Sequence, residues 1–189
     1  MDTARGMTRL APSPTGALHL GNARTFLLND LLAARLGWRV LMRVEDLDGP
    51  RIKPEAAGRM LEELAWMGLV WEQPVEYQSA RQGLYREALE RLVAAGAAYP
   101  CTCSRKDIEL AASAPHREDA TGAYPGTCRG RYDPAEFLAD PERRAAWRVI
   151  APSEPVTFDD AFAGPRSFDL SREGGDFVVF RADGTAAYQ

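Results

Sequence analysis

The residues best suited to nucleotide chemistry are His19, Gly21 and Asn22, which follow a loop that contains Pro12 and Pro14. Prolines keep such a loop out of helix and sheet, and a helical pattern begins at about Gly21. His19 and Asn22 therefore fall where the free N–H groups of a helix N-terminus bind a phosphate. Donors in this position stabilise charge that develops on phosphate oxygens, and a glycine lets a nucleotide approach closely. We predict a nucleotide site here, against the simpler interpretation of a surface turn with an incidental histidine.

The elements around this loop predict a β-strand, an α-helix and a second β-strand. The first strand ends near Ala11, the helix stops at Gly37, and the second strand covers 38–44 and leads into Glu45. Such a unit implies a parallel sheet with a right-handed crossover. Ligands of such sheets bind beyond the carboxyl ends of the strands. The loop after Ala11 and the Glu45 carboxylate should therefore share one site.

Opposite charges flank this expected site. Arg9 can hold a carboxylate through two parallel hydrogen bonds, and Glu45 can pair with an ammonium group. Ser13 and the backbone of Ala11 can add hydrogen bonds. The pattern predicts a pocket for a substrate that carries both charges, such as an amino acid. A direct salt bridge between Arg9 and Glu45, with no ligand, is the alternative.

The three cysteines of the chain, Cys101, Cys103 and Cys128, form an odd and clustered set. Such a set predicts metal binding more than a disulfide framework. Zinc normally takes four ligands, so the cysteines need a partner. The candidates are Tyr124 and His116, and His116 is intrinsically the better ligand because a phenol must lose a proton with a pKa of about 10. Three free buried cysteines are the alternative to a structural zinc site.

Composition limits the functional classes. The formal net charge of the 189-residue chain is −4, which argues against a generally basic surface that coats nucleic acid. Any RNA contact must therefore come from a local basic patch. No apolar run approaches the roughly 18 residues of a membrane span, and residues 1–8 lack an apolar signal core. We predict a cytoplasmic globular protein that does not contact the membrane.

Residues 9–24 carry the strongest family signal, Arg-x-Ala-Pro-Ser-Pro-Thr-Gly-x-Leu-His-Leu-Gly-Asn-Ala-Arg. This segment resembles the start of the glutamyl-tRNA synthetases and of their shorter branch, the glutamyl-queuosine tRNA(Asp) synthetases. Residues 19–22 look like the HIGH signature of that family, with Asn22 in place of the last histidine. Further similarity runs in pieces to Gln189. It includes the acidic end of the second strand, a Gly-x-x-Tyr that leads into Cys-x-Cys, and Tyr-Pro-Gly-Thr-Cys-Arg at 124–129.

The resemblance implies an α/β fold, namely a Rossmann-like class I synthetase catalytic domain with an inserted zinc-bearing α+β subdomain. Residues 1–100 would form the first half of the catalytic domain and 176–189 a return to it. Residues 101–175 would form the insertion, which we expect to contact tRNA. In the family, the second half of the sheet and the lysine-rich KMSKS loop lie further downstream. We therefore expect an N-terminal portion of a longer, monomeric enzyme.

The resemblance also implies a role for each matched residue. ATP, bound with magnesium, would contact Pro12, His19, Gly21 and Asn22, and the catalytic residues would be His19 and Asn22. L-glutamate would contact Arg9, Ala11, Ser13, Glu45 and Tyr188. The structural zinc would be bound by Cys101, Cys103, Tyr124 and Cys128. Tyrosine is preferred over histidine here because residues 124–129 match the zinc segment of the queuosine branch.

The implied function is activation of glutamate to glutamyl-AMP, followed by transfer to queuosine in the anticodon of tRNA(Asp). The zinc segment and the ending Gly-Asp-Phe-Val-Val-Phe-Arg-Ala-Asp-Gly-x-x-Ala-Tyr-Gln favour this branch. The alternatives are the catalytic part of a glutamyl-tRNA synthetase that charges tRNA(Glu), and a non-catalytic zinc-stabilised fragment that binds glutamate or tRNA. A nucleotidyltransferase that adenylylates a small acid would explain the histidine motif but neither Arg9 with Glu45 nor the cysteines.

Overall fold

The computed structural model describes residues 6–47, 52–53, 55–112, 124–140 and 142–187. The chain divides into two compact units, Met1–Gln82 and Gly83–Gln189. Within the described ranges, none of the helices is both long enough and apolar enough to cross a membrane.

The first unit is built on a three-stranded parallel sheet. Its strands, in sheet order, are β1 (Met7–Leu10), β2 (Arg39–Val44) and β3 (Glu76–Tyr77). Helix α1 (Leu20–Leu36) connects β1 to β2, and α2 (Ala56–Trp66) lies between β2 and β3 in the chain. A 3-10 turn over Ser79–Arg81 follows β3.

The predicted strand–helix–strand unit is confirmed. β1 and β2 are parallel, with Leu10 opposite Met42. Helix α1 ends at Gly37, whose φ of 65° is a left-handed conformation that glycine adopts at little cost. The buried core of this unit consists of Leu10, Phe26, Ala33, Val40, Met42, Val44, Met60, Leu64 and Leu69. Burying each large apolar side chain contributes about 1.5–3 kcal/mol, so the core holds the sheet rigidly beneath the loop that follows β1.

The second unit contains an antiparallel sheet and a separate hairpin. The sheet has the order β4 (Ala98–Cys101), β5 (Ala146–Val149) and β8 (Phe177–Phe180). The hairpin consists of β6 (Val156–Asp160) and β7 (Gly164–Phe168). The helices are α3 (Gln82–Ala94), α4 (Arg105–Ala112), α5 (Pro134–Ala139) and α6 (Leu170–Glu173). Strand β4 is buried throughout and delivers Cys101 to a compact cluster with Tyr99, Tyr124 and Cys128.

Candidate functional site

The loop after β1 and the residues after β2 lie at the same edge of the parallel sheet, as the topology predicts. The register between the strands lets the chain leave both of them side by side. The backbone N–H of Glu45 donates to the carbonyl of Pro12 at 2.9 Å, and both residues are buried. Ala11 and Ser13 flank Pro12 in the chain. The bond therefore brings these predicted pocket residues next to Glu45.

The side chain of Glu45 pairs with Arg43 and not with Arg9. Glu45 is 7% exposed, and its Oε1 accepts from Nη2 of Arg43 at 2.5 Å. Arg9 is exposed, and no described residue forms a hydrogen bond or ion pair with its guanidinium. The alternative of a direct Arg9–Glu45 salt bridge is therefore not what the structure contains. Arg43 was missed in the sequence, although strand alternation places residues 43 and 45 on one face.

Arg9 lies on the same face of the sheet as Arg43, the partner of Glu45. It pairs in register with Leu41, and side chains two residues apart on a strand share a face. The four-residue step from Leu41 to Glu45 corresponds to roughly 13 Å along the strand. The Arg9 guanidinium, with which no described residue pairs, and the buried Glu45 carboxylate thus belong to neighbouring parallel strands.

His19 is the N-cap of α1. Its Nδ1 accepts from the backbone N–H of Gly21 at 3.1 Å, and Oδ1 of Asn22 accepts from the backbone N–H of His19 at 3.3 Å. This reciprocal arrangement satisfies N–H groups that a helix start leaves unpaired. Because Nδ1 accepts, the proton of the neutral ring is on Nε2. His19 is exposed, so Nε2 is a donor available to a ligand.

Gly21 permits this cap. A Cβ atom at this position would lie 2.9 Å from Cε1 and 3.0 Å from Nδ1 of His19. The sequence predicts that Gly21 lets a nucleotide approach the backbone closely. In the structure, the group that lies close to Gly21 is the ring of His19, which would itself contact the nucleotide.

Asp46 has a structural partner. Its Oδ1 accepts from the backbone N–H of Ser79 at 2.8 Å, and its Oδ2 accepts from the Ser79 hydroxyl at 2.5 Å. The carboxylate therefore joins the end of β2 to the 3-10 turn after β3. This contact supports the edge of the sheet at which Glu45 lies.

The three cysteines converge on one point in the second unit. All three Sγ atoms lie within 4.8 Å of one another, and those of Cys103 and Cys128 are 3.4 Å apart. Tetrahedral zinc, with Zn–S bonds of about 2.3 Å, places its sulfur ligands about 3.8 Å apart. The three thiols therefore fit three corners of a tetrahedral metal site.

Tyr124 supplies a fourth donor atom at this cluster. Its Oη lies 3.2 Å from Sγ of Cys101 and 3.5 Å from Sγ of Cys103, and it accepts from the backbone N–H of Cys128 at 3.0 Å. His116, the competing candidate, lies outside the described residues, as does the predicted glutamate contact Tyr188.

The pKa values of the cluster are shifted in different directions. Burial raises the pKa of the Tyr124 phenol, and hydrogen bonds with the three cysteines raise it further. Burial also raises the pKa of Cys103 to about 11. At Cys128, burial is outweighed by hydrogen bonds from Tyr124, Thr102 and Cys103, which lower the pKa to about 7. Full deprotonation of the set thus needs a positive charge at its centre, which a divalent metal supplies.

Comparison with known proteins identifies the family. The model for the catalytic domain of class I tRNA synthetases (E and Q) matches residues 7–189. The chain belongs to this family. The resemblance noted in the sequence is thereby confirmed, and the α/β fold is that of a class I synthetase catalytic domain.

The relatives found by sequence include glutamyl-Q tRNA(Asp) synthetases of several bacteria. The glutamyl-Q tRNA(Asp) synthetase of Symbiobacterium thermophilum is 46% identical over 192 residues, which cover 96% of this chain and 59% of the relative. The protein of the same name from Thiobacillus denitrificans is 45% identical over 189 residues, covering 100% and 60%. The chain thus spans about three-fifths of the length of the curated relatives that it matches.

Solved structures support the same family. A glutamate tRNA ligase from Elizabethkingia meningosepticum, crystallised in complex with its amino acid, aligns with a TM-score of 0.78 at 26% identity. The alignment covers 97% of this chain and 40% of that one. The glutamate-tRNA synthetase from Elizabethkingia anophelis aligns with a TM-score of 0.79 at 25% identity.

One buried carboxylate of this synthetase-family chain was missed in the sequence. Asp176 is 2% exposed. It accepts from the Tyr99 hydroxyl at 2.5 Å, from Nη2 of Arg129 at 2.6 Å and from the backbone N–H of Ala151 at 2.9 Å. Burial opposes ionisation, but these bonds outweigh it and lower the pKa of Asp176. Its hydrogen-bond donors are 25 to 77 residues away in the sequence, so no local pattern indicated that Asp176 is buried and bonded in this way.

Proposed function

We propose that the protein containing this chain is a ligase that activates glutamate with ATP and transfers it to queuosine in the anticodon of tRNA(Asp). The observation that carries this proposal is the 46% identity to a glutamyl-Q tRNA(Asp) synthetase along 96% of the chain. Identity to the two glutamate tRNA ligases of known structure is lower, at 26% and 25%. The pocket charges and the helix cap are consistent with glutamate activation in either branch.

In this proposal, glutamate binds between Arg9 and Glu45. The exposed Arg9 guanidinium holds a carboxylate, and Glu45, whose Oε1 is engaged by Arg43, pairs with the α-ammonium through its other oxygen. The remaining contacts come from the Ala11 backbone, Ser13 and Tyr188. Opposite charges at fixed positions orient the substrate. Such orientation contributes a large share of the rate acceleration of a two-substrate reaction.

ATP, with its magnesium, binds at Pro12, His19, Gly21 and Asn22. A glutamate carboxylate oxygen attacks the α-phosphorus, the bond to pyrophosphate breaks, and glutamyl-AMP forms. Nε2–H of His19 then donates to the phosphate oxygens on which charge builds, while Asn22 holds the histidine through its backbone. The tRNA nucleophile displaces AMP in the second step.

Residues 101–175 form the zinc-bearing subdomain of this proposal and contact tRNA. Zinc is held by Cys101, Cys103, Tyr124 and Cys128. Its role is structural, because a loop-rich segment buries too little apolar surface to order itself. We expect one zinc ion per chain by elemental analysis of protein purified without chelator. His116→Ala should retain that zinc and Tyr124→Phe should weaken its binding, whereas the opposite pattern would exchange the two assignments.

The activity is tested in two steps with the full reading frame that contains these 189 residues. Glutamate-dependent ATP–pyrophosphate exchange is measured without tRNA. Transfer of labelled glutamate is then measured to tRNA(Asp) with and without queuosine. Exchange without tRNA together with transfer only to queuosine-containing tRNA(Asp) supports the proposal, and transfer that ignores queuosine contradicts it.

The second candidate is a glutamyl-tRNA synthetase, which the solved neighbours favour because both are glutamate tRNA synthetases. It predicts exchange that requires tRNA(Glu) and transfer of glutamate to tRNA(Glu). A non-catalytic binding fragment predicts glutamate or tRNA binding without exchange in the 189-residue chain, and exchange that is restored in the full reading frame.

A further inference from the structure

Arg148 is a buried cation that stacks on the proposed metal ligand Tyr124. It is 8% exposed, and its guanidinium carbon lies 3.8 Å from the centroid of the Tyr124 ring. Its Nη1 donates to the backbone carbonyl of Asp176 at 2.6 Å. Its Nε is buried with no hydrogen-bond partner in the part of the chain that the structure describes. Among the described residues, the Arg148 guanidinium thus contacts one backbone carbonyl, as a hydrogen-bond donor, and the face of one aromatic ring.

A buried cation with such partners is costly unless negative charge lies nearby. Asp176, whose backbone carbonyl accepts from Arg148, uses its carboxylate to neutralise Arg129 and to accept from Tyr99 and Ala151. No described carboxylate forms an ion pair with Arg148. Three thiolates around a divalent cation carry net negative charge, and a phenolate ligand adds to it. A loaded metal cluster behind the Tyr124 ring would therefore provide the charge that Arg148 lacks.

Tyr124 and Arg148 reach this contact from backbones of different regularity. Tyr124 belongs to no regular strand or helix: its backbone forms an isolated bridge with Gly175, which precedes Asp176, and its hydroxyl accepts from the backbone N–H of Cys128. Arg148, by contrast, lies in β5, paired in register with Tyr99 on β4. The arginine is therefore a rigid support on one side of a ring whose own backbone is irregular.

We infer that Arg148 is a positioning residue of the metal site, which holds the Tyr124 ring against the three cysteines and balances the charge of the loaded cluster. The inference rests on the zinc site proposed above. Asp176 contacts both arginines of this region. Its backbone carbonyl accepts a hydrogen bond from Arg148, and its carboxylate accepts one from Arg129, the residue after Cys128. Outer contacts of this kind commonly set metal affinity because they orient the ligands.

The test compares Arg148→Met with a matched control on the 189-residue chain. Arg131→Met is the control, since Arg131 also stacks on a tyrosine, Tyr132, at 5.6 Å, but not on a proposed ligand. Zinc affinity is measured by chelator competition, and the ligand set is measured from the visible spectrum of the cobalt(II)-loaded protein. We expect Arg148→Met to lower zinc affinity about 10- to 100-fold. Its cobalt spectrum should shift toward that of Tyr124→Phe, whereas the spectrum of Arg131→Met should match wild type.

Arg148→Lys covers the case in which the methionine variant does not fold. Lysine keeps the charge and loses the planar stack, so it should fold, bind zinc with intermediate affinity and show part of the spectral shift. Wild-type zinc affinity in both Arg148 variants, or lower affinity with an unshifted cobalt spectrum, would overturn the inference while leaving the zinc site intact. A wild-type chain that binds no zinc would overturn both.

Discussion

The backbone N–H of Glu45 donates to the carbonyl of Pro12 at 2.9 Å, across the carboxyl ends of β2 and β1. This bond joins the strand end that carries the buried carboxylate to the loop that leads into the His19 cap. A proposed amino-acid pocket and a proposed nucleotide loop thus share one rigid edge. The pocket and the loop can therefore each be tested by side-chain substitutions that leave the hydrogen bond between Glu45 and Pro12 intact.

Glu45→Gln keeps the backbone N–H and the side-chain size but removes the charge. We expect the KM for glutamate in pyrophosphate exchange to rise about 10- to 100-fold, because one charged hydrogen bond to the ammonium is lost. The KM for ATP should change little. The matched control is Glu72→Gln, which breaks an exposed ion pair with Arg39 in the same unit. An unchanged KM for glutamate in Glu45→Gln would remove Glu45 from the pocket.

His19 serves as a helix cap through Nδ1 and as a proposed donor through Nε2, and two variants separate these uses. His19→Asn can still cap α1, whereas His19→Ala cannot. Both should lower the exchange rate about 10²- to 10³-fold. Only His19→Ala should also lose about 1 kcal/mol of stability in urea unfolding. Near-normal exchange in His19→Asn would show that capping is the whole role of the residue.

Gly21→Ala should displace the His19 ring, because the added Cβ would lie 2.9 Å from Cε1. We expect exchange to fall at least about tenfold, since a small misplacement of a catalytic group is costly. Gly16→Ala lies in the same loop, where an added Cβ meets nothing within 4 Å, and it should keep wild-type exchange. Equal rates for the two variants would argue against a role for the ring position.

Removal of zinc should loosen the second unit selectively. Chelation would leave the thiols and the Tyr124 phenol without the proposed zinc ion. We expect hydrogen exchange to speed up at the amides of β4, whereas those of β1 and β2, which lie in the other unit, keep their protection. Uniform loss of protection across both units would contradict a local structural role for the metal.

The turn between β6 and β7 should depend on pH through Asp160. Its Oδ1 accepts from the backbone N–H of Ala163 at 2.7 Å and of Phe162 at 2.8 Å, and these bonds hold the pKa of Asp160 below its usual value. A depressed carboxyl pKa stabilises the turn above the ordinary value of about 3.9, and the stabilisation is lost as pH falls through the depressed pKa. The two amide resonances should therefore titrate in NMR with a midpoint below about 3.9. Asp160→Asn should abolish that titration, and a midpoint above 3.9 would contradict the assignment.

Local patterns predicted the parts of the site but not their pairing. Alternation and helical spacing placed β1, α1 and β2, and parallel topology brought the loop after β1 to Glu45. The partner of Glu45 lies only two residues away, at Arg43, and alternation within a strand could have indicated it. The partner of Asp46 is Ser79, 33 residues further on, and no spacing rule reaches that far.

By itself, the sequence determined the strand–helix–strand order, the stop of α1 at Gly37, and which residue types could bind phosphate, carboxylate and metal. These features depend on backbone propensity and side-chain chemistry within a few residues. Only the tertiary structure decided that no described residue pairs with the Arg9 guanidinium, that Tyr124 reaches the cysteines, and that Arg148 stacks on Tyr124 beside Asp176. These contacts depend on which distant segments pack together. Buried charged and polar groups are costly unless they are paired, so packing decides which partner each of them takes.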